Sequence, residues 1–154
     1  MRRDVAEAYV EKLLRKVTGS SQIAADADGD YPVPYGSALY YVRVAGEAYA
    51  DVQVFAVAVD GIEASAELLA DINEINTQVR FARVFHVRDQ VLVEADLDGN
   101  AVEPSSFYRA CDTVASITDR VGPDLSIRHG GTAKFEDSKA LGYRSPEPSV
   151  GMYL

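Results

Sequence analysis

Apolar positions recur at helical spacing in three stretches of the chain and alternate or run together between them. In residues 4 to 17, Val5, Tyr9, Leu13 and Val17 share one stripe, widened by Val10 and Leu14, which predicts an amphipathic helix ended by Thr18-Gly19-Ser20-Ser21. An acidic turn at residues 26 to 30 leads into a strand interrupted by Pro32 and Pro34. Proline lacks the ladder N–H, so that strand belongs at a sheet edge. Residues 37 to 44 and 51 to 59 read as two further strands. The second of them is apolar on both faces apart from Gln53, as a central strand covered on both sides requires. Leu68, Leu69, Ile72, Ile75 and Val79 mark a second helix, with Asp60 or Ser65 as candidate caps. A third begins near Pro104, aligns Phe107, Cys111, Val114, Ile117 and Val121, and is expected to end at Gly122-Pro123. The division that follows is a domain over residues 1–121 and an irregular tail over residues 122–154.

Between the second and third helices lies a hairpin whose register decides which side chains share a face. Arg88-Asp89 is a poor match to a two-residue primed turn, but a four-residue loop on a type I turn gives the same pairing: Phe85 opposite Leu92 and Arg83 opposite Glu94. Ala82, Val84, His86, Val91, Val93 and Ala95 then form a small, mostly aliphatic face suited to packed helices. The other face, with Phe81, Phe85 and Leu92 seeded by Arg83, Glu94 and Asp96, is half polar. It is expected to be open to a partner or a second copy of the chain, unless the tail covers it. Phe81, Phe85, Leu92, Arg83 and Glu94 are therefore the candidate partner-binding residues. In the tail, Phe135, Tyr143, Tyr153 and Leu154 are apolar anchors along a segment that Pro146 and Pro148 bias toward polyproline II. It could strap the domain, exchange with a second subunit, or dock elsewhere.

Strands, a Leu-rich helix ending in the Asn73 and Asn76 pair, a Phe-containing hairpin and a last amphipathic helix together resemble the YbjN-type domains, related in fold to type III secretion chaperones. The resemblance covers residues 4 to 121, and the block from Leu68 to Asp96 carries most of it. It implies an α+β domain in the order α-β-β-β-α-β-β-α, with an antiparallel sheet and helices mainly on one face. It further implies a non-enzymatic, chaperone-like module, often a homodimer, that binds a protein or peptide client.

Composition narrows the alternatives. A formal charge of −9 and a pI near 4.6 disfavour nucleic acid and anionic membranes, which call for clustered Lys and Arg. The lone Cys111 excludes an intramolecular disulfide framework and fits a reducing compartment. Met1-Arg2-Arg3 precedes a charged helix without a continuous apolar core, so no signal peptide is read there, and no stretch reaches the roughly 18 apolar residues of a membrane span. A cytoplasmic protein is expected.

Chemistry-bearing groups are sparse. Asp26, Asp28 and Asp30 resemble the start of a calcium loop, but Tyr31 replaces the glycine at the sixth position and Ser37 the closing Glu, so an acidic turn and no metal are expected. Cys111 sits on an apolar stripe, as a buried hydrophobe would. Asn73 and Asn76 are assigned to the helix end or to strand backbone. No catalytic residue and no cofactor are expected. The competing possibility is a small-ligand or enzymatic domain with a pocket near His86, Glu94 and Tyr108.

Overall fold

The computed structural model describes residues 1–36 and 38–133. Eight elements follow one another: α1 (Arg3–Thr18), β1 (Tyr31–Tyr35), β2 (Ala38–Ala45), β3 (Asp51–Asp60), α2 (Ala66–Gln78), β4 (Arg83–Val87), β5 (Gln90–Asp98) and α3 (Pro104–His129). The strands form one sheet in the spatial order β1-β2-β3-β5-β4, every neighbouring pair antiparallel. This is the α+β architecture expected. β3, apolar on both faces, lies at the centre, and the proline-bearing β1 lies at an edge.

Side chains alternate across a strand, so the sheet has two faces. On the first, Val42, Val44, Val54, Ala56, Ala58, Val84, Val93 and Ala95 meet the buried residues of all three helices, among them Leu13, Leu14, Leu68, Phe107 and Leu125. The small residues of β3 let α3 approach closely. Ser65 caps α2 by accepting from the Leu68 amide at 3.0 Å, and Pro104 opens α3 where its missing N–H leaves no bond unmade.

Two helices depart from the periodicity. In α1 the buried residues are Ala6, Val10, Leu13 and Leu14, while Val5 and Val17 are 52% and 37% exposed. The contact face is rotated from the expected stripe because Ala6, weakly apolar but small, turns inward. α3 continues through Gly122 and Pro123 to His129, so the expected end at Gly122-Pro123 is corrected. Gly122 serves approach rather than termination: a Cβ there would lie 2.7 Å from the Ala58 carbonyl oxygen. Proline inside a helix loses one backbone hydrogen bond, at about 3 kcal/mol. Against that stand the complete burial of Leu125 and the anchorage of the last turn to α2, where Asp71 binds Arg128 at 3.1 Å and His129 at 2.5 Å.

The hairpin has the expected pairing with a different turn. Val87 pairs with Gln90, and the two residues between them, Arg88 and Asp89, both have positive φ, 48° and 57°. This primed geometry matches the twist of the strands, though neither residue is glycine. The Ile62 amide donates to the Asp89 carbonyl at 2.9 Å and helps hold it.

Candidate functional site

The second face of the sheet carries the candidate site. Register arranges it as three rows across the strands: Val57, Leu92 and Phe85; then Tyr41, Phe55, Glu94 and Arg83; then Arg43, Gln53 and Asp96. The first row, joined by Leu39 and Val87, is apolar, the second mixed and the third polar. Tyr41 stacks on Phe55 with ring centroids 5.3 Å apart, and the Arg43 guanidinium lies 5.0 Å from the Phe55 centroid. Arg83 lies over Phe85 at the same distance. Aromatic rings thus separate the aliphatic lane from the charges.

Those charges are tightly held. Arg43 grips Asp30 with two hydrogen bonds of 2.6 and 2.7 Å, and both residues are buried. The bonds to Asp30 hold the guanidinium charged beyond its ordinary range. Arg83 donates to Glu94 Oε1 at 2.7 Å. Glu94 is 1% exposed, and burial, reinforced by the neighbouring Asp96 carboxylate, raises its pKa against the opposing pull of Arg83. Its other oxygen, Oε2, and Gln53 Oε1 are buried without a hydrogen-bond partner. Unpaired buried acceptors are uncommon and call for a specific reason.

The predicted partner-binding residues separate into two groups. Phe85, Leu92, Arg83 and Glu94 come together on this face. Phe81 does not: it precedes β4 with φ 61°, is 72% exposed, and packs under Arg109 of α3 at 5.4 Å. A left-handed residue breaks the alternation that would have carried Phe81 onto the face. Within the flank expected to be open, Leu92 and Glu94 are buried, Phe85 is half-buried, and Arg83 and Asp96 are exposed. Phe135, Tyr143, Tyr153 and Leu154 lie outside the described residues.

Sequence reasoning confined to the hairpin missed the contribution of β2 and β3: Leu39, Tyr41, Arg43, Gln53, Phe55 and Val57. The signal was present in Gln53, a single amide in an otherwise apolar strand. The structure also disperses the rival pocket. His86 points to the helical side and pairs with the Ile62 carbonyl at 2.7 Å, Glu94 lies on the opposite face, and Tyr108 lines a separate cavity.

That cavity, about 340 Å³, lies between α1, α3 and the β1–β2 end of the sheet, lined by Lys16, Val17, Tyr35, Tyr40, Tyr108, Cys111 and Asp112. Burial pushes the Cys111 thiol up to about 12, away from the range of an activated thiolate. Asp26, Asp28 and Asp30 do converge within 4.8 Å of one another. Asp26 Oδ1 accepts from the amides of Asp28 and Asp30, and Asp30 is paired with Arg43. No described helix is long and apolar enough to cross a membrane.

Comparison with known proteins gives a family and a fold. The model of the family described as T3SS (YopN, CesT) and YbjN peptide-binding chaperone 1 matches residues 4–137. No curated protein sequence matches the chain. Among solved structures, a chain of the ExsC–ExsE complex superposes with a TM-score of 0.60 at 10% identity, over 76% of this chain and 93% of that one. The Yersinia pestis type III secretion chaperone SycH, solved with a fragment of YscM2, gives 0.56 at 16%, over 74% and 97%. The ExoU–SpcU complex of Pseudomonas aeruginosa gives 0.53 at 10%, over 74% and 95%. At these identities the structures speak for the fold alone.

Proposed function

The chain belongs to the family of type III secretion and YbjN peptide-binding chaperones, and from that premise we propose that it binds an extended segment of a partner polypeptide on the second face of its sheet. The observation that carries this reading is the combination, on one face, of an aliphatic and aromatic lane with two buried acceptors that the described protein leaves unpaired. A buried unpaired acceptor costs about 1–3 kcal/mol. A client that supplies N–H or O–H donors to Gln53 Oε1 and Glu94 Oε2, while seating apolar side chains along Val57, Leu92 and Phe85, recovers that loss. Affinity and register then come from the same few residues.

Docking on the face is favoured over addition of a strand. β1 at one edge carries Pro32 and Pro34. At the other, the Asn76 side chain accepts from the Val84 amide at 2.9 Å and donates to its carbonyl at 2.8 Å, occupying the Val84 backbone pair that an added strand would use. The titratable groups His86, Glu94 and Tyr108 stand apart, which supports binding rather than catalysis. A homodimer in the cytoplasm completes the reading on the strength of the family resemblance, and sedimentation of the full chain tests the dimer.

The test uses peptides selected from a random display library against the full chain, with affinities measured by calorimetry. Phe85→Ala is expected to weaken the selected peptides at least about 10-fold, since truncating a packed aromatic anchor typically removes more than 1 kcal/mol. Ile127→Asp, on the exposed side of α3, is expected to leave them unchanged. The reverse pattern rejects the face as the docking surface.

A further inference from the structure

Resting on that reading of the face, we infer that the chain's own C-terminal segment, residues 134–154, is the resting occupant of the client surface and that a client must displace it. Four observations converge on this occupant. Leu39, Tyr41, Phe55, Val57 and Leu92 are all at most 9% exposed, yet every buried hydrophobic side chain of the three described helices belongs to the cluster on the opposite face. Among the described residues, none of the helices accounts for the cover.

The exit point is the second observation. Thr132 pairs with Asp60 through two backbone hydrogen bonds, its carbonyl accepting at 2.9 Å and its amide donating at 2.8 Å. Asp60 is the last residue of β3 and pairs with Gln90, the first of β5, so the chain leaves the described domain at the end of the sheet to which, of the three rows, that of Val57, Leu92 and Phe85 is nearest. Length is the third. The segment after Ala133 has 21 residues, an extended reach of about 70 Å, against a five-stranded sheet roughly 20–25 Å across. Its sequence has the anchors for the lane: Phe135, Leu141, Tyr143, Val150, Tyr153 and Leu154, interrupted by charges and by Pro146 and Pro148.

The fourth observation explains why such an occupant can leave. The family match stops at residue 137, and the structural relatives cover nearly all of their own chains but only about three quarters of this one. Most of the segment is therefore an addition to the shared domain. Gln53 Oε1 and Glu94 Oε2 remain unpaired. An internal strap that fills the apolar lane without serving those acceptors yields to a client that does, and so acts as a placeholder that keeps an aromatic surface from unselective contacts.

The test places a nitroxide on the full chain at Ser149→Cys. Cys111, buried with its thiol pushed up to about 12, stays out of the labelling. With the nitroxide and isotope-labelled methyl groups in one chain, the signals of Leu39, Val57 and Leu92 are expected to lose more than half their intensity relative to the reduced label. Those of Leu69 and Ile127, exposed on α2 and α3, are expected to change little. A synthetic peptide of residues 134–154, added in trans, is expected to bind a Phe135→Ser, Tyr143→Ser, Tyr153→Ser chain at least about 10-fold more tightly than the parent, because the parent site is free only a fraction of the time. Broadening spread over the helices, broadening only between separately labelled chains, or equal affinity for the two chains overturns the strap. If the strap fails while library-selected peptides still bind through Phe85, the placeholder alone is lost and the docking face stands.

Discussion

The two faces of the sheet are built from the same five strands, yet they differ in kind. The helix-covered face is aliphatic, and α1, α2 and α3 fill it. The opposite face puts rings, guanidinium groups, an amide and a carboxylate at the corresponding positions and leaves two acceptors without donors. A surface selected for stability alone would have no reason to keep Gln53 and Glu94 in the middle of a sheet. The contrast teaches that burial by itself does not identify the core: one face specifies the fold, and the other retains polar groups suited to a partner.

Substitutions can break that contrast from either side, and the largest effect is expected on the helical face. Phe107→Ala, at a fully buried position, should lower stability by about 3–5 kcal/mol in urea unfolding. Peptide affinity of the remaining folded protein should be unchanged. A loss of affinity without a loss of stability would erase the distinction between the faces.

Next comes the ion pair at the polar end of the second face. Arg43→Met strands the buried Asp30 carboxylate and is expected to cost about 3 kcal/mol, whereas adding Asp30→Asn should restore much of it. A double-mutant cycle from urea midpoints reads the coupling. Additive losses would show that the two side chains act separately.

At the β4 edge, Asn76→Ala removes two hydrogen bonds to Val84 and should cost about 1–2 kcal/mol. Amide exchange at Val84 should rise with it. Unaltered exchange would mean that the edge is protected by other means.

The smallest effect is a pH dependence. Burial raises the Glu94 pKa in the folded chain above the ordinary carboxylate value, so the folded state holds a proton that the unfolded state has released. Stability from this group is present at acid pH and falls as pH rises from about 4.5 through the raised folded value. Glu94→Gln should abolish that slope, gaining on the parent toward neutrality. Parallel pH profiles for the two proteins would remove the carboxylate from the account.

Legibility in the sequence followed how local each determinant is. Helix spacing, the prolines of β1 and the apolar run of β3 placed all eight elements, and the hairpin pairing of Phe85 with Leu92 was readable because turn length alone sets register. Asn76 on strand backbone was likewise legible, from the poor helical preference of Asn. The course of α3 past Pro123 was not, because it depends on Asp71 in another helix and on the backbone of β3. The second face of the sheet was half legible: β4 and β5 gave Phe85, Leu92, Arg83 and Glu94. Tyr41, Arg43 and Phe55 joined them only through non-local pairing of β2, β3 and β5. Phe81 strayed because one left-handed residue resets the alternation that assigns a face.

The account turns on where a client lands, and a methyl-resolved titration of the full chain with a library-selected peptide reads this directly. The methyl signals of Leu39, Val57 and Leu92 should shift with saturation while those of Leu13, Leu68 and Leu125 hold still. Shifts confined to the helical core, or to Val17 beside the Tyr40 and Cys111 cavity, would contradict it.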